Sequence, residues 1–277
     1  MDAIEILKNK ANESQFDFSH MSNLIDQIAG SLIPEDRKLV IKSQLLVRIN
    51  ALKLNGFEGY LQFLQKQSTE SIYWSELLSI ITQKEAEFFL NSKHIEFLAL
   101  KFIPEWVKTD QQTVMVWLSG ASSGEDAYTL AMVLKKYLPD DKDFKIIATD
   151  SNLQMLKVGM NGVYPLAKLD KIPLEFRDTN ITMGSGTVSN WFCIKTQLKE
   201  KISFKHFSLM KTQNLSEDKF DLVFCGNSAG DTLNQVVVSL QEKLKTDGYF
   251  FLGNDKSLRD ADPVWTSVED TIYKLNI

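Results

Sequence analysis

The sequence of 277 residues predicts an α/β domain with a doubly wound parallel sheet, preceded by a small all-α domain. Residues 114–118 are a short apolar run bounded by small residues, which is typical of a strand covered on both faces. A turn of small residues, 119–124, and an amphipathic helix follow directly. A second strand-like run, 144–150, ends in Asp150. This succession indicates the first half of a nucleotide site in a doubly wound sheet.

Residues 1–82 are predicted to form the all-α N-terminal domain. Apolar residues recur at helical spacing in four segments between Asp17 and Ile81, and Gly30 and Pro34 are natural stop and start signals. Each segment offers one apolar stripe, which is sufficient for a small helical bundle. Residues 83–110 are interpreted as a linker and bridging helix, and residues 111–277 as the α/β domain.

The second half of the α/β domain departs from a simple alternation of strand and helix. Residues 184–207 carry two glycines and then alternate around a polar turn, which predicts a small antiparallel β insertion. Residues 220–225 and 249–252 are predicted core strands, with a helix between them from about 232 to 244. The last residues, DTIYKLNI, are predicted to add an antiparallel strand at the sheet edge.

Composition and charge narrow the possible functions. The formal net charge of −5 argues against broad binding to nucleic acid or to anionic membrane surfaces. Because the chain lacks a long apolar run and a signal-peptide core at its start, we expect a cytoplasmic protein without membrane insertion. Cys193 and Cys225 lie in apolar runs and are predicted to be buried thiols rather than a disulfide. The three histidines lack metal-ligand spacing, so no metal site is expected.

Six short segments occur in the order and approximate spacing of one known family. They are FF at 88–89, SGASSGEDAY at 119–128, ATD at 148–150, GVY at 162–164, FDLVFCGN at 220–227 and TDGYFFLG at 246–253. Through them the chain resembles the CheR-type chemotaxis-receptor methyltransferases, which move a methyl group from S-adenosylmethionine to receptor glutamate side chains. The resemblance implies a Rossmann-like methyltransferase domain, S-adenosylmethionine as cofactor, S-adenosylhomocysteine as product, and a chemoreceptor-like protein as substrate or signalling partner.

The resemblance also implies which residues hold the cofactor. Its nucleoside and amino-acid parts would be lined or held by Gly120, Ala121, Ser122, Glu125, Asp150, Ser208, Leu209 and Asn227. Within this set, Glu125 would face the amino-acid half and Asp150 the ribose hydroxyls, a role that suits a carboxylate at the end of a strand. The alternatives are that Glu125 is a first-turn acid favoured by the helix dipole, and that Asp150 is a helix N-cap.

Three positions depart from the family's pattern. The family has arginines where this chain has Leu90 and Gly226, and a tyrosine where it has Asp231. An acceptor glutamate, with a pKa of about 4.3, is already ionised at neutral pH, so catalysis needs positioning rather than a general base. Leu90 cannot donate a hydrogen bond to a carboxylate, and an ionised Asp231 would repel one.

No residue of this chain is therefore assigned as catalytic from the sequence. Two hypotheses remain. The first is methyl transfer to protein glutamates, and the second is a catalytically impaired module that binds S-adenosylmethionine, S-adenosylhomocysteine or partner proteins in signalling.

Overall fold

A computed structural model describes residues 35–68, 71, 73, 74, 77, 80, 86–150, 152–206, 219–225, 237, 241–253, 258 and 264–276. The chain divides into two compact units, Met1–Glu85 and Ala86–Ile277, which are described separately. The division falls inside the predicted linker at 83–110. The bridging helix therefore belongs to the second unit.

The described part of the first unit is helical. Helix α1 spans Glu35–Ala51 and helix α2 spans Gly56–Gln65. Their buried side chains recur three or four residues apart, as one apolar face requires, and pack together with parts of the 73–80 segment. This cluster contains Ile41, Leu45, Ile49, Tyr60, Leu61, Leu64, Trp74 and Leu77. The helix predicted within 17–30 lies outside the described residues, as does part of the fourth.

The second unit alternates strands and helices. Its helices are α3 Ser92–Phe97, α4 Ile103–Trp106, α5 Glu125–Tyr137, α6 Leu153–Asn161, α7 Leu174–Asn180 and α8 Thr196–Lys199, and a π-helical turn, Leu98–Phe102, joins α3 to α4. Its strands are β1 Thr113–Ser119, β2 Asp143–Asp150, β3 Val163–Pro165, β4 Ile181–Met183, β5 Trp191–Ile194, β6 Ile202–His206, β7 Phe220–Cys225, β8 Leu244–Leu252, β9 Trp265–Glu269 and β10 Ile272–Leu275. Most of the helix predicted at 232–244 lies outside the described residues.

Within the described residues, seven strands form the main sheet, in the order β6-β2-β1-β7-β8-β10-β9. The first five are parallel, whereas β10 runs antiparallel to both β8 and β9. The chain leaves β1 towards β2 on one side and reaches β7 on the other, so the switch point of this doubly wound sheet lies at β1. The predicted C-terminal antiparallel strand is confirmed as β10. Its predicted place at the edge is wrong, because β9 pairs with its outer side.

A separate three-stranded antiparallel sheet, in the order β3-β5-β4, forms the predicted insertion. It begins earlier than predicted, because it takes in Val163–Pro165. The segment 202–206 does not belong to it: this segment is β6, which pairs in parallel with β2. Its placement in the insertion was therefore wrong. Alternation of polar and apolar residues looks the same in an insertion strand and in a half-exposed edge strand of the main sheet.

Asp221 fixes the amino-terminal ends of the central strands. This buried carboxylate of β7 accepts hydrogen bonds from the Met115 N–H at 2.8 Å and from Trp106 Nε1 at 3.2 Å. Lys245 Nζ of β8 lies 3.0 and 2.9 Å from its two oxygens. A buried charge needs such partners to be tolerated. The network joins β1, β7, β8 and α4, and so aligns the strands whose other ends form the candidate site.

Candidate functional site

A cavity of about 120 Å³ lies at the carboxyl ends of three adjacent parallel strands. This is where open α/β sheets bind their ligands. The volume is below the roughly 300–1,000 Å³ typical of pockets that enclose a whole ligand. The residues that line the cavity are Leu90, Asn91, His94, Ile95, Leu118, Asp126, Thr129, Leu130, Phe224, Cys225, Phe251, Leu252 and Gly253.

The loop between β1 and α5 folds back on the end of β2. The N–H groups of Gly120 and Ala121 both donate to the Thr149 carbonyl oxygen, at 2.8 and 3.0 Å. The Ser122 N–H donates to Asp150 Oδ2 at 2.8 Å, and the Gly124 N–H donates to the Ala121 carbonyl at 2.9 Å. A loop that cradles phosphate points its N–H groups at the ligand. Because these four N–H groups bond within the protein, the loop favours a nucleoside without phosphates.

Asp150 lies half-buried beside this loop, at the end of β2. Its Oδ2 holds the Ser122 N–H, and its Oδ1 accepts the Asn152 N–H at 2.7 Å. The Met155 N–H donates to Asn152 Oδ1 at 3.2 Å, so Asn152 is the residue that caps α6. The alternative of Asp150 as the N-cap does not hold. Each carboxylate oxygen can accept a further hydrogen bond from a ligand hydroxyl.

Gly124 is required where the loop enters α5. Its φ of +94° lies in the left-handed region, and a Cβ there would approach the Cα of Gly159 to 2.9 Å. A Cβ on Gly159 would in turn meet the Phe204 ring at 2.8 Å. The backbones therefore pass close together at Gly124, where α5 starts, and at Gly159 of α6.

The two acids of the first turn of α5 point to different surroundings. Glu125 is fully buried; Ser123 Oγ donates to its Oε2 at 2.6 Å, and Lys168 Nζ lies 2.5 Å from its Oε1. Asp126 is half-buried and lines the cavity, which Glu125 does not. Burial, with the charge of Glu125 as a smaller cause, raises the pKa of Asp126 to about 6. The sequence analysis named Glu125 and not Asp126, because a helix turns by about 100° between neighbours and the pattern does not say which one faces a ligand. The role of Glu125 at the cofactor stays a prediction.

Leu90 lies in the cavity wall with nearly half of its surface exposed. The preceding Phe89 has a φ of +54°, a conformation that non-glycine residues rarely adopt. Its N–H donates to the buried hydroxyl of Thr129, at 3.1 Å, which stabilises this backbone. The structure thus places Leu90, which stands where the family's pattern has an arginine, directly at the candidate site.

His94 also lines the cavity. It is buried against the rings of Phe224 and Phe251, and its Nε2 lies 2.7 Å from Thr271 Oγ1. Burial lowers the pKa of His94 to about 4, although the charge of Glu269 acts in the opposite direction. The imidazole is therefore neutral at pH 7.

The other residues named from the sequence lie outside the described residues. They are Ser208, Leu209, Gly226, Asn227 and Asp231. Among the described residues Gly120, Ala121, Ser122 and Asp150 lie together at the loop after β1, and their role at a cofactor stays a prediction. Cys193 and Cys225 are free thiols, as predicted, although Cys193 is only half-buried.

The comparison with known proteins agrees with this geometry. Residues 84–274 match the family described as "CheR methyltransferase, SAM binding domain". The chain belongs to the CheR methyltransferase family. The cofactor of this domain is S-adenosylmethionine, and the doubly wound sheet with its small antiparallel insertion is the Rossmann-like methyltransferase architecture.

Similar curated proteins span almost the whole chain. A "Chemotaxis protein methyltransferase" of Borreliella burgdorferi is 29% identical over 90% of this chain and 90% of its own. "Chemotaxis protein methyltransferase 2" of Pseudomonas aeruginosa is 23% identical, over 93% and 92%. "Chemotaxis protein methyltransferase" of Escherichia coli is 24% identical, over 94% and 90%. Within the part of the chain that the structure describes, no helix combines the length and apolar character that crossing a membrane requires.

The neutral, buried state of His94 predicts how stability depends on pH. The folded pKa of about 4 is below the usual value of 6.5, so protonation favours the unfolded chain between these pH values. Relative to a His94→Gln variant, the wild type should lose about 1.4 kcal/mol of unfolding free energy per pH unit as the pH falls from 6.5 towards 4. Above pH 6.5 the difference between the two proteins should be constant.

The measurement is urea-induced unfolding of both proteins from pH 4 to 8. His206→Gln, at an exposed histidine, is the control for losing a histidine elsewhere. A difference between wild type and His94→Gln that stays constant over the whole range would contradict the prediction.

Proposed function

We propose that this protein binds S-adenosylmethionine across the carboxyl ends of β1 and β2 and transfers its methyl group to a glutamate carboxylate of a chemoreceptor-like protein. The observation that carries the proposal is the Asp150 carboxylate at the carboxyl end of β2, which the loop N–H of Ser122 holds at 2.8 Å. A second acid, Asp126, lines the cavity at the carboxyl ends of β1, β7 and β8. The names of the curated relatives, all chemotaxis protein methyltransferases, support the class of acceptor.

The chain's residues suit the chemical groups of this cofactor. When bound, S-adenosylmethionine supplies an electrophilic methyl group on a sulfonium centre. Asp150 would accept hydrogen bonds from the ribose hydroxyls, and Gly120, Ala121 and Ser122 would form the surface under the nucleoside. Ser208 and Leu209 are proposed beside the adenine and Asn227 beside the methionine part.

We assign the α-ammonium group of the cofactor to Asp126 rather than to Glu125. Asp126 lines the cavity, whereas Glu125 is fully buried and paired with Lys168. A carboxylate with no exposed surface offers a ligand's ammonium group nothing to contact. Glu125 is therefore proposed to act on the cofactor indirectly, through the shape of the loop.

The part of the site that would hold the acceptor glutamate has fewer groups for positioning a carboxylate than the family's pattern provides. Leu90 presents an apolar surface to the cavity where that pattern has an arginine. Losing one positioned donor typically lowers the rate about a hundredfold or more. This observation favours slow transfer, and it supports the second candidate function, a cofactor-bound module that signals through partners without turnover.

Asp150 should control cofactor affinity. Replacement by Ala removes the charged acceptor for the ribose, and hydrogen bonds to charged groups contribute about 1.5–3 kcal/mol, so affinity should fall roughly ten- to hundredfold. Titration calorimetry with S-adenosylhomocysteine measures this, with Asp140→Ala at an exposed turn as the matched control. Equal affinities for wild type and Asp150→Ala would remove Asp150 from the site.

Asp126 should make cofactor binding depend on pH. Its raised pKa of about 6 means that the carboxyl is largely neutral at pH 5 and ionised at pH 7, while the ammonium group of the ligand stays charged. Affinity for S-adenosylhomocysteine should therefore rise from pH 5 to 7, and an Asp126→Asn variant should lose that rise. The idea fails if calorimetry finds the same pH dependence in both proteins.

Methyl transfer should improve when the lost donors are restored. We expect the wild type to label a chemoreceptor slowly with radioactive S-adenosylmethionine, and Leu90→Arg combined with Asp231→Tyr to label it about a hundredfold faster. Leu100→Arg, at an exposed leucine outside the cavity, controls for added charge. Rapid labelling by the wild type would contradict our interpretation of Leu90 and Asp231.

A further inference from the structure

Lys168 connects three parts of the second unit. It lies in the 3₁₀ turn Leu166–Lys171 that follows β3. Its Nζ contacts Glu125 Oε1 at 2.5 Å, at the start of α5, and the Ala86 carbonyl oxygen at 3.0 Å. Lys168 is about one quarter exposed, whereas Glu125 is fully buried.

Glu125 needs this cation because its carboxylate is out of contact with water. A buried charge is strongly destabilising unless it is paired and hydrogen-bonded. Within the described part of the chain, Asp126, the next residue of α5, and Tyr164 of β3 also interact with it. Its charge raises the pKa of both, after burial as the larger cause. An acid and a tyrosine do not neutralise a carboxylate. Among the described groups around Glu125, Lys168 supplies the compensating charge.

The same segment holds the loop at a second point. The Tyr164 hydroxyl donates to the Ser123 carbonyl oxygen at 2.6 Å, and Ser123 Oγ in turn donates to Glu125. Segment 164–168 thus fixes both the backbone before α5 and the first acid of α5. Through the Ala86 carbonyl, Lys168 also contacts the chain just before Phe88, Phe89 and Leu90, where Leu90 lines the cavity.

We propose that Lys168 is a positioning residue for the cofactor site. Its ammonium group pairs with the buried Glu125 carboxylate, which sets the loop at 120–124 and leaves Asp126 facing the cavity. Its bond to Ala86 holds the segment that carries Leu90 against the same helix start. The inference rests on the proposed function, because the expected effect is a change in affinity for the cofactor that this loop would bind.

The test compares three variants of the full chain by two measurements. Lys168→Met removes the charge and keeps a chain of similar length, and Lys168→Arg keeps the charge. Lys171→Met is the matched control, because Lys171 lies in the same turn and makes an exposed ion pair with Glu87, at 3.0 Å. The measurements are calorimetric titration with S-adenosylhomocysteine and amide hydrogen exchange of residues 119–126.

We expect Lys168→Met to bind S-adenosylhomocysteine at least tenfold more weakly and to exchange the loop amides faster. Lys168→Arg should restore most of the affinity, and Lys171→Met should match the wild type. If Lys168→Met equals the wild type in both measurements, the inference is overturned. If the wild type itself binds no S-adenosylhomocysteine, the proposed function fails, and the exchange rates still decide whether Lys168 orders the loop.

Discussion

The hydrogen bond from the Ser122 N–H to the Asp150 carboxylate is the interaction on which the site depends. It joins the loop after β1 to the last residue of β2, next to the two N–H groups that the Thr149 carbonyl holds. Thr149 is held in turn by its side chain, because Trp117 Nε1 donates to its hydroxyl at 3.0 Å. The crevice at the switch point is thus formed by the protein's own bonds before any ligand arrives, which lowers the entropic cost of binding.

Local patterns predicted the part of the fold that local chemistry determines. The run of small residues after β1, the amphipathic α5 and the acid that ends β2 are each visible within about ten residues, and all are confirmed. The pairing of β6 with β2 and the position of β9 outside β10 depend on contacts between distant segments. Periodicity identifies a strand, but it does not identify the neighbour of that strand.

The roles of the two acids in α5 show the same limit within the site. Both residues follow Gly124, and both suit the first turn of a helix. What separates them is a lysine 43 residues away, since Lys168 pairs with Glu125 and leaves Asp126 at the cavity. Likewise, the sequence alone shows that Leu90 departs from the family's pattern. Its place in the cavity wall follows from the left-handed backbone at Phe89.

The electrostatics of the site favour a cationic cofactor. Four loop N–H groups that would otherwise attract phosphate are bonded to Thr149, Asp150 and Ala121. Glu125 is neutralised by Lys168, whereas Asp126 carries its charge at the edge of the cavity, and His94 beside it is neutral at pH 7. The described lining therefore has a negative balance, which attracts a ligand with ammonium and sulfonium charges. The same balance opposes a second carboxylate, so an acceptor glutamate needs a cation that Leu90 does not provide.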